Sequence, residues 1–154
     1  SDNPSAIFTV HDPLHRLIRL YLLGLTAAQL GEHAAAETYA DSLAAVEPKP
    51  IEGSLPQDMA RAVRAERLRL DGRPAEALAV LEQQERYMWY AQTAVSPLFS
   101  QVRDRFVQAE LLRELGRLDE ARRWYETIDQ LSVFDLPYRP VAARRLTEMD
   151  GGGP

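Results

Sequence analysis

The sequence predicts an all-α fold of stacked helical hairpins, and three observations carry that prediction. Alanine and leucine, both strong helix formers, number 21 each among 154 residues, while β-branched residues are sparse. No stretch sustains the period-two alternation of a half-buried strand. Three segments, LYLLGLTAAQLGEHAAAETYADSLAAVEP, ARAVRAERLRLDGRPAEALAVLEQQE and RFVQAELLRELGRLDEARRWYETIDQL, each set a glycine between two helical stretches. That is the mark of an internal repeat. The expected architecture is a single solenoid domain over 1–154, with three helical hairpins and a C-terminal capping helix.

Aligned on Gly31, Gly72 and Gly116, the segments share columns. An alanine follows each glycine by five residues (Ala36, Ala77, Ala121), and a small residue precedes it by seven (Gly24, Ala65, Ala109). An apolar residue stands four before it (Ala27, Leu68, Leu112). Apolar or aromatic pairs stand eight and nine after it: Tyr39 with Ala40, Val80 with Leu81, Trp124 with Tyr125. Antiparallel helices approach closely only where the facing side chains are small, which the two small-residue columns supply. The glycine tolerates the left-handed conformation that ends many helices. The bulky pairs fill the space between one hairpin and the next, because a lone repeat cannot bury its own apolar stripe.

The elements follow in order from their caps. Asp12 and Pro13 suit the start of a first helix running to Leu30, with its partner over 33–46, stopped before Pro48. PKPIEGSLP is a loop, and Ser54 with Pro56 opens a third helix that runs to Asp71. A fourth begins near Pro74 and continues to about Tyr90. Ser96 and Pro97 open a fifth that ends at Leu115, and a sixth covers 118–131. The repeats thus span about 14–48, 56–90 and 97–132, and VAARRLTEM predicts a capping helix over about 137–149. This last stretch is similar to the first helix of a fourth repeat, placed to cover the open face of the third hairpin.

These segments resemble tetratricopeptide repeats, helix–turn–helix units of about 34 residues. In the first, Gly24, Gly31, Ala36, Tyr39, Leu43 and Pro48 stand at the family's small, turn, small, aromatic, apolar and proline positions. The third matches through Ala109, Gly116, Ala121, Trp124, Tyr125 and Ile128, whereas the second has Gln84 where an apolar residue is usual. Neither later repeat ends in proline, and the glycines are 41 and 44 residues apart, so extensions separate the repeats. The resemblance covers about 14–132 and implies a non-enzymatic protein–protein interaction module, of the kind found in larger bacterial regulatory or scaffolding proteins. It also implies a groove lined by the first helix of each pair, on the side away from its partner helix. Along that face stand Tyr21, Leu25 and Gln29, then Ala62, Glu66 and Arg69, then Phe106, Glu110 and Arg113. A peptide or partner domain is the expected ligand. The alternative at these positions is that Tyr21, Leu25 and Phe106 are core, buried beneath the N-terminal AIFTV.

Composition narrows the other classes. The formal charge is −5 and the isoelectric point about 5.2, which argues against a general nucleic-acid binder. The absence of cysteine removes disulfides, thiolate nucleophiles and cysteine-type zinc sites. No run reaches the roughly 18 apolar residues of a membrane span, and SDNPSAIF lacks the features of a signal peptide. A cytoplasmic setting is expected, although a cysteine-free chain also suits the periplasm. A serine start and a Gly-Gly-Gly-Pro end suit a piece of something larger.

No GxSxG, GxxxxGK[ST] or HExxH motif is present. His11 and His15 stand at metal-compatible spacing, but Pro13 places His11 ahead of the expected helix and two ligands are too few. Neither catalysis nor a cofactor or metal is expected. The 17 arginines against one lysine read as genome composition. Arg61, Arg64, Arg67, Arg69 and Arg73 spread around their helix, which suits local ion pairs better than a clamp for phosphate or an acidic peptide. A second candidate patch is Tyr87, Met88, Trp89 and Tyr90, whose aromatic anchors pack on the fifth helix or dock another chain. That patch, or the open end after Met149, supports the competing expectation of a structural element for homo-oligomerisation or intramolecular docking.

Overall fold

In the computed structural model, residues 5–47, 53–86, 97–128 and 132–151 are described, those at 5–13 and 97 by their backbone alone. Helix α1 (Ser5–Gln29) pairs with α2 (His33–Ala44), and α3 (Leu55–Leu70) with α4 (Pro74–Leu81). A short α5 (Pro97–Ser100) leads into α6 (Val102–Glu114), which pairs with α7 (Leu118–Glu126). A 3₁₀ turn (Val133–Asp135) then brings the chain to α8 (Arg139–Gly151). No strand occurs among the described residues. Each hairpin packs on the next, α2 and α1 against α3 and α4 against α6, and α8 closes the array on α7.

The three turns are built alike. Gly31, Gly72 and Gly116 have φ of 73°, 70° and 76°. In each, the glycine N–H bonds the carbonyl three residues back, and the following N–H bonds the carbonyl five back, on Ala27, Leu68 and Leu112. This is the Schellman closure of a helix. The apolar residue four before each glycine is therefore the one whose carbonyl closes the turn.

The small columns are buried as expected: Ala36, Ala65, Ala77, Ala109 and Ala121 are at most 1% exposed. Two apolar clusters result, one from Leu17 to Phe99 around the first hairpin and one from Ala65 to Ala142 around the third. Helix α3 belongs to both, with Met59 to Val63 in the first and Ala65 and Leu68 in the second.

Several helix limits differ from those expected. Helix α1 begins at Ser5 and includes Asp12, so AIFTV and His11 belong to its backbone, their side chains lying outside the description. Pro13 lacks one donor, but its ring holds φ in the helical range. Helix α4 stops at Leu81 instead of near Tyr90 because the Asp58 carboxylate takes the N–H groups of Glu85 and Arg86, and Arg86 turns left-handed at φ 49°. The expected fifth helix is broken at Gln101, left-handed at φ 48°, where Arg105 Nε donates to the Ser100 carbonyl. Helix α7 ends at Glu126 rather than 131, the Thr127 carbonyl accepting from Arg105 Nη1 at 2.8 Å. Helix α2 ends at Ala44, two residues short of 46, within the usual fraying of a terminus.

Candidate functional site

A cavity of about 330 Å³ opens between α1, the start of α3, the α5–α6 junction and the segment after the 3₁₀ turn. Its walls are mainly apolar and aromatic: Tyr21 and Leu25 of α1, Met59 of α3, and Phe134 and Tyr138 from the far side. Gln101, Arg103 and Asp104 bring polar groups to it. At its edge Leu22 is 52% exposed.

The α5–α6 side of the cavity is held by a buried polar junction. Asp58, fully buried in the first turn of α3, accepts from Ser54 Oγ (2.8 Å), Arg61 Nη1 (3.0 Å) and the N–H groups of Glu85 (3.1 Å) and Arg86 (2.8 Å). Gln101 Nε2 approaches it at 3.4 Å. Gln84 Nε2 donates to the Asp58 carbonyl (2.9 Å) and to Asp104 Oδ2 (2.8 Å), while its own oxygen accepts from Arg86. Arg86 also reaches Gln108 and stacks 4.5 Å above the Trp124 ring. The glutamine at an apolar column of the second repeat is thus one link between two hairpins.

Charges at the cavity are set by this packing. Burial raises the Asp104 carboxyl above the usual aspartate range, against the opposing pull of Arg103 and Gln84. Burial, and then Asp104, push the Tyr21 hydroxyl far up, and Tyr21 donates to Asp104 Oδ1 over a long 3.4 Å. Glu66 is also buried, which by itself raises its pKa; bonds from Arg69 and Arg103 outweigh this and hold it below the ordinary glutamate range.

Of the sequence-predicted groove residues, Tyr21 and Leu25 are core, 5% and 8% exposed, as the alternative reading had it, and what they leave uncovered lines the cavity. Glu66 lies just behind it, bonded by Arg69 (3.0 Å) and Arg103 (2.9 Å), and Ala62 is core. Gln29 is exposed near the first turn. Phe106 packs on Tyr125 and Tyr138, with ring centroids 5.9 and 5.3 Å apart. Glu110 accepts from Arg145 of α8 (2.9 and 3.2 Å), from Tyr125 and from Arg113 (3.3 Å). The terminal helix thus covers Glu110, while Arg113 stays partly exposed. The patch Tyr87, Met88, Trp89 and Tyr90 lies outside the described residues.

The cavity residues that sequence reasoning missed include Met59, Gln101, Arg103, Asp104, Phe134 and Tyr138. A signal for part of this set exists: Gln101, Asp104 and Gln108 fall at helical spacing on one stripe, a pattern usually belonging to a solvated face. The arginines of α3 and its turn are paired: Arg61 with Asp58, Arg64 with Glu37 and Asp41, Arg67 with Glu37 and Asp71, Arg69 with Glu66, and Arg73 with Glu76. His33 faces Asp71 at 3.7 Å. Among the described residues no three metal-ligating side chains gather, and no helix is long and apolar enough to cross a membrane.

No curated protein and no solved structure matches the chain. The family model for the tetratricopeptide repeat matches residues 59–83 and 105–127, which are the α3–α4 and α6–α7 hairpins. The first hairpin lies outside both matched stretches, yet its glycine turn closes with the same bonds and its small residues are buried in the same way. The two matched hairpins are thus tetratricopeptide-type repeats, and their successive packing makes the described chain an all-helical repeat structure with a tetratricopeptide-like superhelix.

Proposed function

We propose that the chain is a non-enzymatic interaction module that takes a peptide or partner domain on the cavity face, within a larger regulatory or scaffolding protein. Tetratricopeptide repeats generally mediate protein–protein interaction. The observation that supports this face is the cavity itself: apolar walls drawn from separate elements, a few convergent polar groups, and Leu22 exposed to water on its rim. Apolar side chains in such a rim gain free energy when a partner covers them.

A photoreactive amino acid at Leu22, on the rim, tests the reading in cells. The expected result is a discrete crosslinked partner, absent when the same group replaces exposed Thr38 on α2. Equal products from both positions, or none from Leu22, reject the cavity face. A Leu22 product of two copies of the chain replaces the reading with self-association.

A further inference from the structure

We propose that the cavity receives a tryptophan side chain of the partner, with its ring among Leu25, Met59 and Tyr138 and its indole N–H donated to Asp104 Oδ1. This rests on the reading that the partner binds the cavity face. The argument starts from the two oxygens of Asp104, a residue 4% exposed. Oδ2 has a close donor, Gln84 Nε2 at 2.8 Å. Among the described residues Oδ1 has only the Tyr21 hydroxyl at 3.4 Å and Arg103 Nη1 at 3.5 Å. Both lie at the outer limit of hydrogen bonding. Arg103 is drawn away by Glu66, which its Nη2 meets at 2.9 Å. A buried carboxylate oxygen with long contacts alone is an acceptor still short of a good donor.

Other chemistries fit less well. An anionic group meets the Asp104 carboxylate, and the guanidinium beside it is already committed to Glu66. An ammonium or guanidinium has Arg103 in the wall against it. A purely apolar ring satisfies the walls and leaves Oδ1 as it was. Indole offers a large apolar face and one N–H that donates without needing an acceptor role, which complements apolar walls around an acceptor.

The test uses the whole chain with the Met59 methyl ¹³C-labelled, titrated with 3-methylindole, its N–H-free isostere 3-methylbenzothiophene, and butylguanidinium. The expected result is that 3-methylindole shifts the Met59 signal and binds about tenfold tighter than the isostere, as a bond to a charged acceptor predicts. In Asp104→Asn, an amide that still accepts from Gln84 must turn its NH₂ toward Tyr21 and the cavity, so the preference falls to about twofold or less. Should that variant fail to fold by circular dichroism, Leu25→Trp is the second probe. It fills the cavity from within and is expected to abolish binding of both bicyclic compounds. Equal affinity for the two bicyclics, or tighter binding of butylguanidinium, overturns the tryptophan assignment and leaves the cavity face standing. No shift at Met59 with any compound overturns both.

Discussion

The first hairpin and the junction between the second and third are both buried helix contacts, built from opposite materials. Between α1, α2 and α3 the contact is one of shape. A methyl group on Gly24 would come within 2.8 Å of Val63 Cγ2 and 3.3 Å of Tyr39 Cβ, and Ala36, Ala40 and Leu43 complete an apolar seam. Between α3, α4 and α6 the contact is one of direction, with Asp58, Gln84, Arg86, Asp104 and Gln108 joined by hydrogen bonds. Close-packed apolar seams respond to volume, whereas a buried polar network responds to the loss of any member. The second kind also shapes the chain: it stops α4 early and supplies the polar groups of the cavity.

Breaking the polar junction carries the largest expected effect. Asp58→Ala leaves the Glu85 and Arg86 N–H groups and the Ser54 hydroxyl without their buried acceptor and should destabilise by roughly 3–5 kcal/mol, measured in urea unfolding. A loss below about 1 kcal/mol means the network is ornamental to stability. At the shape-based contact, Gly24→Ala sets a clash of roughly 1–3 kcal/mol against a helix-propensity gain of about 1 kcal/mol. A net destabilisation is expected, by the same measurement. A stabilised variant shows that Val63 yields freely and the seam is not tight.

The smallest effect is expected where polar bonds lie at the surface. Glu110 joins α6 to Arg145 of α8 while about a quarter exposed. Burial acts to raise its pKa, but Arg145 and Tyr125 prevail and hold it below the ordinary glutamate range. Its contribution is therefore complete above the unfolded glutamate value of about 4.3 and is lost as pH falls through the lower folded value. Amide exchange in 139–151 should accelerate relative to α6 below about pH 4. Glu110→Gln should produce the same acceleration at neutral pH, at a loss of less than about 1 kcal/mol. Uniform exchange across α6 and α8 under both conditions dismisses the idea of a separately held cap.

The contrast also explains what was legible in the chain. Gly31, Gly72 and Gly116 announce turns because the left-handed conformation favours one residue type, and the alanine columns announce close approach because volume is written in residue identity. Gln84 was visible as a misfit in an apolar column, but nothing in its neighbours named Asp58 and Asp104, which lie 26 and 20 residues away. The α4 limit was misplaced for the same reason, since helix periodicity cannot register an acceptor on another helix.

The sequence by itself determined the helical class, the three hairpins, their turns and the closing helix, because propensity, period and side-chain volume are local properties. Only the tertiary structure decided which polar residues are buried together, where α4 and α7 stop, and that Tyr21 and Leu25 share a cavity with Asp104 and Tyr138. Hydrogen bonds between distant segments are directional and pairwise, so their partners are set by where the packed helices deliver them.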